Sequence, residues 1–315
     1  METINQPLIT LGALDFCEIR PGSTPRNALI DSLKLAVALD NLGYSRYWIG
    51  EHHNTDFAQV SPATMLMAVA GKTKRIRIGT GALLLSYHNA LRVANDFRLL
   101  ELLFPKRIDI GVGRGMLAQH YAEVFLGQDI MKAKDLNYYE EQVKNLLLYL
   151  KGKSQVRAIP KNVSMPEFWM LGKNKSSMQL AARYGTKFCF SLFLDSTVQD
   201  AAATFSEYVD SFQPSTELTS PEYSIAISGH CSENQQQIEH LTKFYNSEDA
   251  DIAATIIGTP NECLEKLQEI QHNCKVNEII FLDVGIALED RIRSYQILAE
   301  MCGLNNPNKS LSNVG

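Results

Sequence analysis

No run of about 18 apolar residues occurs in the sequence, which excludes a transmembrane helix as an organising element. The amino terminus, Met1 to Gln6, lacks the basic stretch followed by an apolar one that marks a secretory signal, so a cytoplasmic protein is expected. Six cysteines (Cys17, Cys189, Cys231, Cys263, Cys274 and Cys302) are scattered without a CxxC pair. Neither a disulfide framework nor a zinc site is expected from them, and they read as reduced thiols. Positive charge is not in excess: 30 lysines and arginines stand against 35 aspartates and glutamates, a formal charge of -5. Such a chain offers none of the cationic surface that a nucleic-acid backbone requires. Low-complexity segments and sequence repeats are also missing. What is there is 45% hydrophobic residues spread over 315 positions, enough for a sizeable buried core.

Short apolar runs of strand length alternate with segments of helical period. Leu8 to Phe16 reads as a strand and Pro25 to Leu42 as a helix with Leu29, Leu33, Ala36 and Leu39 on one face. Tyr44 to Gly50 is the next strand, and Ser61-Pro62 opens a helix to about Lys74, serine as cap and proline in the first turn. A strand from Arg75 to Leu85, a helix from Asn89 to Phe104 and a strand from Ile108 to Val112 follow. Beyond a longer segment come a helix from Asp135 to Leu150 and a polar stretch, Lys151 to Pro166, that reads as an insertion. Further strands are expected at Phe168 to Leu171, Lys187 to Leu194, Tyr223 to Ser228 and Glu278 to Val284. Thr259-Pro260-Asn261-Glu262 is a capping box before a helix with Leu264, Leu267 and Ile270 on one side. Repeated βα alternation implies parallel strands, and eight such units in one chain fit a (β/α)8 TIM barrel with insertions better than an open sheet. One domain is expected over 1–304, with a polar, frayed tail at 305–315.

In a barrel of this kind functional residues gather at the carboxyl ends of the strands. Glu51-His52-His53 follows the second strand, Gly79-Thr80-Gly81 lies within the third, Arg114 follows the fourth, and Gly172-Lys173-Asn174 follows the fifth. Adjacent histidines on a strand point to opposite faces and no further ligand has suitable spacing, so no metal is assigned. A histidine at a strand end can be a hydrogen-bonded packing residue, and one in a closed pocket near neutral pKa can donate or accept a proton; His52 is the candidate for proton transfer. The glycine-rich Gly111-Val112-Gly113-Arg114-Gly115 is by itself no more than a tight turn. Gly172-Lys173-Asn174-Lys175-Ser176-Ser177, by contrast, leads from a strand into a helix. Free N-H groups, the helix dipole, Lys173 and the hydroxyls there favour a phosphate, with Arg114 able to complete the site.

Several ordered segments resemble the luciferase-like, flavin-dependent monooxygenase family. They are Tyr47-Trp48-Ile49-Gly50-Glu51-His52-His53-Asn54, Arg75 to Gly81, His88 to Ala94, Phe104 to Gly115, Trp169 to Gly172 and Gln179 to Gly185. The resemblance implies a TIM barrel that holds FMN, in its reduced form a co-substrate with dioxygen, and a separate flavin reductase that supplies it. It implies that Gly81, Ala82 and Met116 contact the flavin, that Glu51 and His52 stand near its reactive side as catalytic residues, and that Arg114, Lys173, Asn174 and Ser177 surround its phosphate. It further implies a homodimer, or a heterodimer with a related subunit, through the helices beginning at Ser61 and Asn89. Gly113 stands where light-emitting members carry a reactive cysteine, and Met116-Leu117-Ala118 replaces an Ala-Pro-Gly pattern, which speaks against light emission. Two other readings remain open at this stage: hydride transfer with the deazaflavin F420, and a non-catalytic flavin-binding relative.

Overall fold

A computed structural model of the chain describes residues 9–59, 61–115, 117–127, 130–247 and 252–304. The chain starts with β1 (Thr10–Asp15), α1 (Pro25–Leu42), β2 (Arg46–Ile49), α2 (Pro62–Lys72) and β3 (Arg77–Thr80). It continues through β4 (Leu83–Leu84), α3 (Ala90–Leu103), β5 (Ile108–Gly113), α4 (Gln119–Leu126) and α5 (Leu136–Leu150). Next come β6 (Glu167–Gly172), α6 (Lys175–Tyr184), β7 (Lys187–Ser191), α7 (Val198–Ser211) and β8 (Tyr223–Cys231). The described part ends with α8 (Gln235–Tyr245), β9 (Ile256–Gly258), α9 (Pro260–Cys274), β10 (Glu278–Asp283) and α10 (Leu288–Met301).

The neighbours run β10-β1-β2-β3-β5-β6-β7-β8, all parallel, and β8 pairs back to β10 to close the ring. These are the eight strands expected from the alternation. The short β4 and β9 pair with β5 and β8 at the upper rim. The expected third strand is broken: β3 ends at Thr80, the Gly81–Ala82 peptide is cis, and a 3-10 turn over Leu85–Tyr87 leads into α3. The polar stretch before β6 carries neither helix nor strand. Ser61 caps α2 by position alone, since its hydroxyl pairs with Thr64 Oγ1 rather than with a backbone N-H. The tail 305–315 lies outside the described residues.

Strand parity divides the core in two, because successive side chains face opposite sides of a strand. Outward residues such as Leu11, Tyr47, Ile78, Ile110 and Phe188 pack beneath the helices, whose buried faces include Ala36, Leu39, Phe97 and Leu267. Inward residues include Leu14, Trp48, Trp169 and Ile280. Glycines on the inner wall make room for the two tryptophans and for an ionic floor: a Cβ on Gly79 would lie 2.5 Å from Asp109. That floor is the amino-terminal end of the barrel. Asp109, fully buried, accepts from Arg46 Nη1 (2.6 Å), Arg77 Nη2 (2.6 Å) and Trp48 Nε1 (2.9 Å). Arg46 Nε also donates to Glu278 (2.8 Å), so β2, β3, β5 and β10 are tied together at this end. A buried network of this kind has to be fully paired to be tolerated.

Candidate active site

The opposite, carboxyl-terminal mouth of the barrel opens into a cavity of about 350 Å³. Its lining includes Phe16, His52, Ala82, Arg114, Lys173 and Phe193, brought from the ends of six strands. Glu51, Gly81, Asn174 and Ser177 line it too. Of the residues expected from the sequence, Met116 alone lies outside the described residues.

Glu51 follows β2 and its side chain has no exposed surface. Its carboxylate accepts from His53 Nε2 (2.6 Å), His88 Nε2 (2.8 and 2.9 Å) and the Leu84 N-H (2.9 Å), and its own N-H donates to Ala82 O (3.2 Å). Burial opposes the charge, but the hydrogen bonds from His53 and His88 and from the Leu84 amide outweigh it and bring the carboxyl down to about 2. With both oxygens committed, Glu51 fastens the Ala82–Leu84 ledge to β2. His88 was not singled out as a site residue, although its place before the Asn89 cap of α3 made it a strand-end polar residue like the others.

His52 and His53 diverge. His53 turns to Glu51 and to Phe125, centroids 4.9 Å apart. His52 stacks on Phe57 (4.3 Å, 27°), touches Phe16 (4.3 Å), and makes no hydrogen bond to any described residue. Burial lowers its pKa to about 4 against the raising effect of Glu51, so the imidazole is neutral at physiological pH. No group of three or more histidine, cysteine or acidic side chains suited to a metal occurs among the described residues.

At the other side Asn174 caps α6, its Oδ1 accepting from Ser177 N (3.2 Å) and Ser176 Oγ (2.8 Å). Gly172 lets the Ser177 hydroxyl come close, since a Cβ there would meet Ser177 Oγ at 2.5 Å. Lys173 Nζ donates to Leu194 O (2.7 Å) across the rim. Arg114, half-buried at the end of β5, pairs with no described carboxylate. An unpaired guanidinium beside a lysine and a helix amino terminus is a cradle for an anion. In the same cavity the ledge, with Gly81 and Leu171, offers an apolar wall. The set fits a planar, apolar ring system that carries a phosphate.

The family model of luciferase-like monooxygenases matches residues 9–250, and the chain belongs to that family. It is 28% identical to the uncharacterized protein YwcH of Bacillus subtilis (strain 168), covering 93% of this chain and 99% of that one. It is 26% identical to an N-acetyl-S-alkylcysteine monooxygenase of the same organism, over 93% and 98% of the two chains. Among solved structures, apo-MsnO8 superimposes with a TM-score of 0.84 at 24% identity, over 94% and 99% of the chains. The oxygenating constituent of 3,6-diketocamphane monooxygenase from Pseudomonas putida, a complex with FMN, gives 0.74 at 16%, over 94% and 98%. An F420-dependent secondary alcohol dehydrogenase gives 0.67 at 14%, over 94% and 99%. These structures share the fold. No helix among the described residues is long and apolar enough to cross a membrane.

Proposed function

We propose that the protein is an FMN-dependent monooxygenase that takes reduced FMN from a separate reductase in the cytoplasm and uses dioxygen to oxidise a small organic molecule. The observation that carries this reading is the joining of Arg114, which pairs with no carboxylate among the described residues, and the Lys173–Ser177 helix start to the apolar ledge at Gly81–Ala82 within one cavity. Family membership supports oxygenase chemistry, and the FMN complex of a protein with the same fold supports the choice of cofactor.

The flavin, when bound, supplies the electrons that activate dioxygen for transfer of one oxygen atom, the other leaving as water. Arg114, Lys173, Asn174 and Ser177 bind its phosphate. Gly81 and Ala82 support the ring, and the Glu51 clamp with His53 and His88 keeps that ledge in place. Phe16 and Phe193, which line the cavity, exclude water from the reacting face. His52, neutral and with no hydrogen-bond partner among the described residues, accepts a proton on its ring and returns it during turnover. The face of α3 that shows Leu99, Leu102 and Leu103 to solvent, together with α2, is where a second subunit, identical or related, would pack.

Anaerobic titration with photoreduced FMN, with reduced F420 in parallel, tests the reading, followed by oxygen uptake after air is admitted. Tight binding of reduced FMN and substrate-dependent oxygen uptake are expected. Binding of F420 alone would replace FMN in the reading, and flavin binding without productive oxygen use would make the protein a flavin carrier.

A further inference from the structure

Arg114 reaches the anion cradle from a segment with little stiffness of its own. It stands between Gly113 and Gly115, and a glycine leaves the backbone more conformations than any other residue. No described carboxylate pairs with the guanidinium to hold it from its far end. An anion site gains from such a group only when the group is already in position, so something on either side of Arg114 has to hold the chain.

Both attachments come from the ledge that follows β3. Upstream of Arg114, β4 pairs with β5 in the register Leu83 to Val112 and Leu84 to Gly113. Next to it, Gly115 is left-handed (φ 59°) and lies so near Leu84 that a Cβ there would run into that side chain. Downstream, the Leu117 N-H donates to the hydroxyl of Tyr87 (3.1 Å). Tyr87 is a firm anchor. It is buried, its ring centroid is 6.2 Å from that of Phe125, and it clusters with Ala122 and Ala133 while Leu84 and Leu117 pack against the same group. The 3-10 turn that carries it begins one residue after Leu84, whose N-H is held by Glu51 (2.9 Å). The connection therefore runs from Glu51 through Leu84 to Tyr87 and on to Leu117. A phenylalanine would fill the same apolar cluster; the hydroxyl adds the bond to the loop.

We infer that Tyr87 is a positioning residue: its hydroxyl fixes the loop after β5 so that Arg114 is held where it meets the phosphate of the cofactor. Tyr87 acts through Arg114 and touches no part of the flavin itself. The inference rests on the flavin reading for the identity of the anion.

The test is Tyr87→Phe in the full chain, which keeps the ring and deletes the acceptor. Fluorescence titration should show FMN weakened about 3- to 10-fold, the worth of one hydrogen bond, with riboflavin, which lacks the phosphate, unchanged. In an Arg114→Ala background the same change should leave FMN affinity where Arg114→Ala alone put it, because the effect passes through that guanidinium. Additive losses, equal losses for both flavins, or no loss of FMN in Tyr87→Phe overturn the inference. Hydrogen exchange at the Leu117 amide, measured without flavin, reads the fastening directly: it should be protected in wild type and about 3- to 10-fold faster in the variant. The wild-type measurement does not depend on the variant folding, and a Leu117 amide that exchanges as fast as in an unstructured peptide overturns the inference. Wild type that binds neither flavin sinks the cofactor reading; faster exchange in the variant then upholds Tyr87 as the fastening of the loop, and unchanged exchange overturns it.

Discussion

Replacing Glu51 with glutamine tests whether the buried clamp is what holds the ledge of the cavity. The carboxyl sits at about 2 rather than at its ordinary 4.5: burial pushes it up, but the hydrogen bonds from His53, His88 and the Leu84 amide push it down further. At about 1.4 kcal/mol for each tenfold change in acidity, that gap corresponds to a stabilisation of about 3 kcal/mol. Glutamine keeps the shape but turns one acceptor into a donor, so that an imidazole or the Leu84 N-H faces an N-H, at a cost of about 1–3 kcal/mol. A loss of about 3 kcal/mol corresponds to a fall in Tm of roughly 6 °C, at about 2 °C per kcal/mol in a large domain. The sign of the pH dependence follows from the depressed value: the stabilisation is complete above 4.5 and is lost as pH falls towards about 2. Urea and thermal denaturation of wild type and Glu51→Gln, at neutral pH and then at successive steps below pH 5, should show a gap that narrows in that window. A variant that melts within about 1 °C of wild type at neutral pH, against the roughly 6 °C expected, would refute the clamp. So would a gap that does not narrow on acidification.

Three further outcomes are expected. His52→Phe should retain the stack with Phe57 and the affinity for FMN while turnover falls about 100-fold. Because burial holds His52 near 4, wild-type turnover should show no His52-dependent titration near neutral pH; a midpoint there that disappears in the variant would contradict this. Arg114→Ala should weaken FMN about 10- to 100-fold, the worth of one charge-assisted contact, and leave riboflavin, which lacks the phosphate, nearly unchanged. Equal losses for both flavins would take Arg114 out of the phosphate cradle. Gly111→Ala would drive a Cβ into the Thr80 carbonyl and should cost at least about 3 kcal/mol, whereas Gly71→Ala, in exposed helix with nothing within 4 Å, should stabilise by about 0.5–1 kcal/mol. Urea midpoints of the two variants decide that comparison.

The eight barrel strands and most of their helices were legible because strand parity and helical period are local properties of neighbouring residues. The anion cradle was legible for the same reason: Lys173, Asn174 and Ser177 lie within five consecutive positions at one strand-to-helix junction. The interruption of the third strand was not, since Arg75 to Leu85 keeps its apolar pattern through Gly81–Ala82. The resemblance names Glu51 as a catalytic residue beside the flavin but does not say what its carboxylate meets in the protein. Its two oxygens are spoken for by groups at positions 53, 84 and 88, and no pattern in the sequence says which of two adjacent histidines a carboxylate will meet.

By itself the sequence determined the alternation, the parity of each strand and the end of the barrel at which the polar residues collect, because each of these depends on spacing along the chain. Only the tertiary structure decided that Arg46 meets Asp109 across 63 positions, that His88 closes on Glu51 across 37, and that Phe16 and Phe193 join in lining one cavity with Arg114. Those contacts depend on strand register and on ring closure. Both are set by the packing of the whole barrel rather than by any segment of it.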